Sequence, residues 1–182
     1  MGGSFGGRKL APLGKGDPKA QLRPTSDRLR ESLFNKLTAR FPDTLDGARV
    51  LDLFAGTGAL GLEALSRGAT EAVFVETGRV ALRLLRENIR RCDMLEQSQI
   101  VTRDARRLGA QSAEPCDLIF LDPPYRRGFG EAALSGALAG GWIARRALII
   151  WEEGGAVEAP AELDLLEEQR NGDTWLRLYS RH

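Results

Sequence analysis

A glycine-rich segment placed directly after a short apolar stretch limits the folds open to this chain. The apolar stretch 50–54 leads into Gly56, Gly58 and Gly61, and a segment with helical periodicity begins there. Glycine has no Cβ atom and lets the backbone approach a ligand closely, and the first turn of the following helix offers unpaired N–H groups. A strand, a glycine loop and a helix in this order predict a parallel α/β sheet with a ligand site at the carboxyl ends of its strands.

The same alternation of short apolar segments and longer periodic segments continues along the chain. Strands are predicted near 49–53, 71–75, 98–103, 116–121 and 146–152, and helices near 59–67, 79–92 and 129–140. Alternation of this kind predicts βαβ units, with helices on both faces of the sheet. The last two strands, 163–170 and 174–180, flank an Asn-Gly-Asp turn typical of hairpins, so we expect the final strand to run antiparallel.

The amino-terminal region differs from the rest in composition and charge. Residues 1–24 are rich in Gly, Pro and Lys and predict an arm with at most a short hairpin, its best strand candidate being 4–10, ahead of a single domain over 25–182. Residues 1–40 contain nine Lys and Arg against three acids, a net charge of +6, and the remainder carries −5 because the whole chain is +1. A basic arm on an acidic body is typical of proteins that meet polyanions, although a solvated tail explains the charge equally well.

One amphipathic helix joins this arm to the domain. A cap at Thr25 or Ser26 is predicted to start it, and Pro42 ends it. Its apolar residues fall on one face: Leu29, Leu33, Phe34 and Leu37.

Several classes of protein are disfavoured by what the chain contains. Its longest apolar run, 147–151, is far shorter than the roughly twenty residues of a membrane span, and no secretory signal is evident, so we expect a cytoplasmic protein without a membrane partner. Only two cysteines are present, Cys92 and Cys116, and neither has a metal-ligand spacing to a partner. We therefore expect no disulfide framework and no metal. The single histidine, His182, ends the chain and is poorly placed to act as a general base.

The glycine loop alone fits two kinds of cofactor. Gly56, Gly58 and Gly61 match the dinucleotide fingerprint, and Glu76, twenty positions after Gly56, matches its acidic ribose ligand. Asp52, at the end of the preceding strand, would repel the diphosphate of a dinucleotide but attract the ammonium and sulfonium groups of S-adenosylmethionine (SAM). The sequence therefore favours SAM over NAD. The predicted cofactor contacts in this region are Asp52, Phe54, Ala55, Gly56, Gly58 and Glu76.

A further acidic residue follows the third predicted strand. Asp104 and Ala105 would offer a carboxylate and a backbone N–H to an adenine edge. An isolated Asp in this position is also a common helix N-cap, and both interpretations stay open.

A second motif, Asp122, Pro123, Pro124 and Tyr125, follows the strand predicted at 116–121 and reaches the same edge of the sheet. The prolines fix the backbone, so the Asp122 carboxylate and the Pro123 carbonyl would be two rigid acceptors for one NH₂ group. Accepting both protons of an exocyclic base amine localises its lone pair toward a methyl donor. Tyr125 would stack on an extruded base, and Arg126 and Arg127 would contact flanking phosphates.

These residues together resemble a known family. The resemblance is carried by segments 7–10 (GRKL), 23–31 (RPTSDRLRE), 52–64 (DLFAGTGALGLEA) and 122–128 (DPPYRRG). They are similar to the bacterial methyltransferases of the RsmD type, which modify the exocyclic N2 of one guanine in 16S ribosomal RNA. The glycine loop and the Asp-Pro-Pro-Tyr motif are shared by SAM-dependent amino-methyltransferases in general, and segment 23–31 is the more specific element.

The resemblance implies a Rossmann-like class I methyltransferase with a seven-stranded sheet, SAM as donor and N2-methylguanine in RNA as product. It implies SAM contacts at Asp52, Glu76 and Asp104, a target-amine site at 122–125, and a lid at 23–25 that includes Thr25. We expect the substrate to be ribosomal RNA in a partly or fully assembled small subunit, and the enzyme to be a monomer. The candidate RNA contacts are Arg8, Lys9, Arg23, Arg28, Arg126 and Arg127.

Three alternatives stay open at this stage. The Asp-Pro-Pro-Tyr motif also suits an adenine or cytosine amine in RNA or DNA. The glycine loop fits an NAD-linked oxidoreductase, and the basic arm fits an RNA-binding module without catalysis.

Overall fold

The computed structural model describes residues 2–3, 10–11, 27–124 and 128–182. Within these ranges seven strands form one sheet: β1 Arg49–Leu53, β2 Glu71–Val75, β3 Ser98–Val101, β4 Cys116–Leu121, β5 Ile143–Glu153, β6 Leu163–Asn171 and β7 Thr174–Arg181. The α-helices of the described part are α1 Asp27–Arg40, α2 Ala59–Ser66, α3 Arg79–Cys92 and α4 Phe129–Ala139. The strands and helices predicted between residues 49 and 180 are thus confirmed, with their ends shifted by at most three residues.

The strands lie in the order β3-β2-β1-β4-β5-β7-β6. Strands β1 to β5 pair in parallel, and β7 runs antiparallel to both β5 and β6. The mostly parallel seven-stranded sheet with an antiparallel last strand is therefore confirmed. The strand order reverses between β1 and β4, and ligands of open α/β sheets bind beside this switch point, at the carboxyl ends of the strands.

Apolar side chains alternate between the two faces of the sheet and build two core layers. Val50 of β1 packs in the layer that contains residues of α1, α2 and α3, and the next residue, Leu51, packs in the layer that contains residues of α4. Because successive strand residues point to opposite faces, any residue can be assigned a face by its position in the strand. Helices cover both faces of the sheet, as the sequence predicts.

Helix α1 differs from its prediction in one residue. Phe34 and Leu37 are fully buried against the sheet, whereas Leu29 is 54% exposed, so its place on the buried face was wrong. Leu29 lies in the first turn of α1 and lines a cavity, described below, instead of the core. The helix ends at Arg40, before a 3₁₀ turn over Pro42–Thr44, whereas the caps predicted at residues 25 and 26 lie outside the described residues.

The described residues of the amino-terminal arm lie against α2 and α3. The Gly2 N–H donates to the Glu63 carboxylate at 2.9 Å, and the Ala11 N–H donates to the Asn88 side-chain carbonyl at 2.7 Å. The strand predicted at 4–10 lies outside the described residues except for Leu10, which packs on the core. The boundary predicted between residues 24 and 25 lies outside them as well and stays a prediction.

A buried ionic cluster joins α1, α2 and the arm. Glu63, only 1% exposed, pairs with Arg30 at 3.2 Å and with Arg67 at 2.8 Å. Burial acts to raise the pKa of Glu63, but hydrogen bonds from Arg67, Gly2 and Arg30 outweigh it and hold that pKa below its ordinary value. The sequence indicated no role for Glu63. In the structure this residue of α2 binds both the arm, through Gly2, and α1, through Arg30.

Both cysteines are buried, and neither forms a disulfide bond. Burial raises the pKa of Cys116 to about 12, so its thiol stays protonated at neutral pH. Among the residues that the structure describes, no helix is both long and apolar enough to cross a membrane, and no cluster of His, Cys, Asp and Glu has the arrangement of a metal site.

Candidate active site

The glycine loop after β1 is a tight turn with left-handed backbone at three positions. Phe54, Gly56 and Gly58 have φ values of +62°, +57° and +78°. The turn is closed by the Gly58 N–H, which donates to the Ala55 carbonyl at 2.7 Å, and is fixed to β2 by the Ala55 N–H on the Val75 carbonyl at 3.0 Å. A non-glycine residue such as Phe54 adopts this conformation at a cost of about 1–2 kcal/mol, a strain that concentrates at functional sites.

Gly61 brings the first turn of α2 close to the strands. A Cβ atom at this position would lie 2.4 Å from a ring carbon of Phe74. Its backbone N–H donates to the Asp52 carboxylate at 3.0 Å. The absence of a side chain therefore lets the start of the helix reach the end of β1.

Asp52, the next-to-last residue of β1, is a buried carboxyl group with 2% of its surface exposed. Burial raises the pKa of Asp52 well above its ordinary value, the hydrogen bond from Gly61 acts against this, and the nearby charges of Asp122 and Glu76 raise it further. The negative charge of Asp52 is therefore costly until a cation lies beside it.

Glu76 follows β2 and holds the loop from the other side. One carboxylate oxygen accepts the Gly56 N–H at 2.8 Å, and the other accepts the N–H groups of Thr77 at 2.7 Å and Gly78 at 2.6 Å. These bonds fix the direction of the carboxylate. The oxygen that accepts only the Gly56 N–H can still accept a hydrogen bond from a ribose hydroxyl.

The electrostatics of this edge fit a cationic ligand. Asp52, Glu76 and Asp122 are close enough for the latter two charges to raise the pKa of the first. A diphosphate placed here would add further negative charge, whereas an ammonium or sulfonium group would relieve the repulsion. The residues present therefore fit SAM better than a dinucleotide.

Asp104 caps the short 3₁₀ turn Ala105–Arg107 that follows β3. Its carboxylate accepts the Arg106 N–H at 3.0 Å and pairs with the Arg106 guanidinium at 2.5 Å. These interactions hold the pKa of Asp104 below its ordinary value, the guanidinium bonds being the largest cause. Asp104 is thus the N-cap of this turn. The contact of Asp104 and Ala105 with an adenine stays a prediction.

The Asp-Pro-Pro motif directly follows β4. Phe120 packs in the same core layer as α1 to α3, and Leu121 packs in the opposite layer, so Asp122 comes next on the face of α1 to α3, as does Asp52. Pro123 is buried and Pro124 half-buried. The structure therefore brings the first part of the predicted target-amine site to the face and edge that carry the glycine loop.

A cavity of about 440 Å³ opens beside Asp122, between α1 and the hairpin of β6 and β7. Its wall combines the apolar side of α1 with polar residues at the ends of β5, β6 and β7. The lining includes Leu29, Leu33, Asp122, Glu152 and Thr174. Sequence reasoning missed this cavity because its walls come from segments far apart in the chain.

Asn88 is a second residue that sequence reasoning missed. Its fully buried side chain donates to the Thr57 carbonyl of the glycine loop at 2.9 Å and accepts the Ala11 N–H of the arm at 2.7 Å. This bridge connects the arm to the predicted cofactor site.

Of the predicted RNA contacts, Arg28 lies exposed in the first turn of α1. The other five lie outside the described residues: Arg8, Lys9, Arg23, Arg126 and Arg127. So do Thr25 and Tyr125, whose roles stay predictions.

Comparison with known proteins places this geometry in a family. The model of a family described as conserved hypothetical protein 95 matches residues 1–180. The chain belongs to this family. The resemblance drawn from the sequence motifs is confirmed by relatives that carry methyltransferase names.

Members similar to the chain include the "Ribosomal RNA small subunit methyltransferase D" of Escherichia coli K12. It is 40% identical over 185 residues, covering all of this chain and 88% of the relative. The "Putative rRNA methyltransferase YlbH" of Bacillus subtilis is 33% identical over 187 residues, covering all of this chain and 97% of the relative.

A solved structure, the "Putative methyltransferase yhhF" from Escherichia coli, has a TM-score of 0.84 at 38% identity and covers all of this chain and 96% of that chain. Fold and family together make the chain a Rossmann-like methyltransferase.

Proposed function

We propose that this protein transfers a methyl group from SAM to the exocyclic N2 amine of a guanine in small-subunit ribosomal RNA. The observation that supports the proposal is that Asp52, the next-to-last residue of β1, lies opposite Phe120 of β4, two residues before Asp122 and on the same face of the sheet. In this proposal Asp52 attracts the cationic donor and Asp122 accepts the amine of the acceptor base.

The donor supplies a methyl group on a positively charged sulfur, and the chain supplies its position. The Asp52 carboxylate attracts the positive charges of the donor, and the Gly61 N–H keeps that carboxylate oriented. Glu76, fixed by Gly56, Thr77 and Gly78, accepts a hydrogen bond from a ribose hydroxyl. Because hydrogen bonds from backbone N–H groups hold both carboxylates in place, the site needs little reorganisation when the donor binds.

Asp122 and the Pro123 carbonyl act on the acceptor amine. Each accepts one N–H of the amine, which directs the nitrogen lone pair toward the donor's methyl group. The nitrogen would gain the methyl group as the carbon–sulfur bond of the donor breaks and S-adenosylhomocysteine leaves, and the cationic amine would then release one proton to water. No stronger base is required, because a cationic aryl amine is far more acidic than the neutral amine.

Ribosomal RNA is proposed as substrate on the names of the relatives and on the charge of the chain. Residues 1–40 carry a net charge of +6, as a segment that binds phosphates would. Gly2 and Ala11 of the arm contact α2 and α3, and the partner of Ala11, Asn88, also binds the glycine loop, so we propose that RNA bound to the arm lies near the donor. We further propose that a monomer acts in the cytoplasm on a partly or fully assembled small subunit.

The test is methyl transfer from labelled SAM to small-subunit particles and to naked 16S RNA, both isolated from cells that lack this enzyme. Mass spectrometry of the digested nucleosides should show N2-methylguanosine, formed faster on particles. Label on an adenine or cytosine amine, or no label on RNA, would reject the proposal. Incubation with NAD in place of SAM provides the control for the alternative cofactor.

A further inference from the structure

The pairing of β4 with β5 places a second carboxylate beside Asp122. In the parallel register Leu121 of β4 lies opposite Trp151 of β5. The residues that follow them, Asp122 and Glu152, are therefore neighbours across the two strands. Neighbouring strands are about 4.8 Å apart, which sets the separation of the two backbones. Ile150 packs in the same core layer as Phe120, so Glu152 and Asp122 both follow on the face covered by α1.

Both carboxylates line the cavity described above. Its volume of about 440 Å³ lies within the range of about 300–1,000 Å³ typical of small-molecule sites. Leu29 and Leu33 of α1 supply an apolar wall, and Thr174 supplies a polar group from β7. An apolar wall beside a carboxylate end suits a flat base whose hydrogen-bond donors point toward Asp122 and Glu152.

Guanine is the base whose pattern of donors matches this pair. Its N2 amine lies next to a ring N1–H, so two neighbouring positions donate hydrogen bonds. The amines of adenine and cytosine lie next to a ring nitrogen with a lone pair instead. An ionised carboxylate only accepts hydrogen bonds, so it would bind the guanine N1–H and repel the lone pair of the other two bases.

Resting on the function proposed above, we infer that Glu152 selects guanine by accepting the N1–H of the target base. Asp122 and the Pro123 carbonyl then hold the adjacent N2 amine. Glu152 is a specificity residue in this assignment, since the amine itself meets Asp122. The Asp-Pro-Pro motif does not distinguish among base amines. Glu152, which the register of β5 on β4 places beside Asp122, would distinguish guanine from adenine and cytosine.

The experiment compares two bases that carry the same 2-amine. Small-subunit particles are reconstituted on ribosomal RNA whose target guanine, mapped in the preceding assay, is retained or replaced by 2-aminopurine. 2-Aminopurine has a lone pair at N1 instead of an N1–H. The wild-type enzyme should favour guanine by about 10- to 100-fold in kcat/KM, as expected for a specific base contact.

In Glu152→Gln the side-chain amide can donate to the N1 lone pair, so the preference for guanine should fall at least fivefold relative to the wild type. 2-Aminopurine also lacks the guanine O6, but this loss is the same for both enzymes and cancels when their preferences are compared. Glu152→Asp keeps a carboxylate and should retain the preference at a reduced rate. SAM affinity, measured by calorimetry, should be unchanged in both variants.

The matched control is Glu153→Gln, which removes the same charge one residue further along β5. Glu153 alternates to the opposite face and accepts the Gly154 N–H, so this variant should keep the wild-type preference. A Glu152→Gln enzyme with normal SAM affinity and an unchanged guanine preference would overturn the assignment of Glu152 and leave the proposed function standing. A wild type that methylates no guanine would reject both.

Discussion

Replacing Asp52 with Asn should weaken SAM binding while stabilising the protein without ligand. The amide oxygen can still accept the Gly61 N–H, so the change removes the charge and keeps the hydrogen bond. In the unfolded chain an Asp titrates near pH 3.9, whereas burial and the charges of Asp122 and Glu76 raise the pKa of Asp52 in the folded protein. A raised folded pKa means that ionisation of Asp52 opposes folding.

The raised pKa of Asp52 also determines how the melting temperatures of the wild type and of Asp52→Asn depend on pH. Well below pH 4 the Asp52 carboxyl is neutral in both the folded and the unfolded state, and the Asp-to-Asn change should leave the melting temperature nearly unaltered. As the pH rises above that value, the unfolded state loses the Asp52 proton first and the wild type is destabilised. The Asp52→Asn protein lacks this penalty and should melt at a higher temperature than the wild type at pH 7.

The expected loss of SAM affinity can be worked from the site. Opposite charges about 4 Å apart attract by about 4 kcal/mol at an effective dielectric constant of about 20. The cost of ionising the buried Asp52 offsets part of this attraction, so the loss of binding free energy should be smaller than that figure. The dissociation constant should therefore rise by roughly tenfold or more, and by less than about 1,000-fold.

Calorimetric titration with SAM and thermal melting without ligand measure the two effects separately. Asp117→Asn is the matched control, because Asp117 lies on β4 at the opposite end from Asp122 and is exposed. Its substitution should leave SAM affinity unchanged. If Asp52→Asn bound SAM as tightly as the wild type, or lost affinity only together with stability, the reasoning about a paired cation would be refuted.

Three further substitutions test other parts of the site. Asp122→Asn should keep SAM affinity within about twofold in calorimetry and lower kcat by about 10²-fold or more, since it loses an anionic acceptor for the amine; equal loss of both would contradict the assigned roles. Asn88→Ala removes the hydrogen bonds of this side chain to Ala11 and Thr57. It should lower the free energy of unfolding in denaturant by about 1–3 kcal/mol and raise the KM for SAM. An unchanged KM would show that Asn88 does not support the glycine loop. Gly61→Ala would place a methyl group 2.4 Å from a ring carbon of β2 and should lower stability by about 1–3 kcal/mol, which an unchanged melting temperature would disprove.

The strands and their order of appearance were predictable because their signals are local. Alternation of apolar segments, the glycines after β1 and the Asn-Gly-Asp turn before β7 each act over a few residues. The meeting of Asp52 and Glu76 at one edge of the sheet was predictable for the same reason: Asp52 is the next-to-last residue of β1, Glu76 directly follows β2, and parallel strands bring their carboxyl ends to one edge.

Residues whose role depends on tertiary pairing were not predictable. Glu63 reads as one more polar residue of α2 until Arg30, from a helix more than thirty positions earlier in the chain, is packed against it. Glu152 becomes a neighbour of Asp122 only through the register of β5 on β4. Leu29 shares the period of the buried residues of α1 but lines a cavity whose other walls come from β5, β6 and β7, which the period of one helix does not reveal.

A structure of the protein with S-adenosylhomocysteine and a guanosine-containing RNA fragment would test the central claim most directly. We expect the amino group of the homocysteine to lie beside Asp52, the ribose on Glu76, and the sulfur to face the guanine N2 held at Asp122 and Pro123. A sulfur that points away from Asp122, or an RNA base bound elsewhere on the protein, would contradict the proposed reaction.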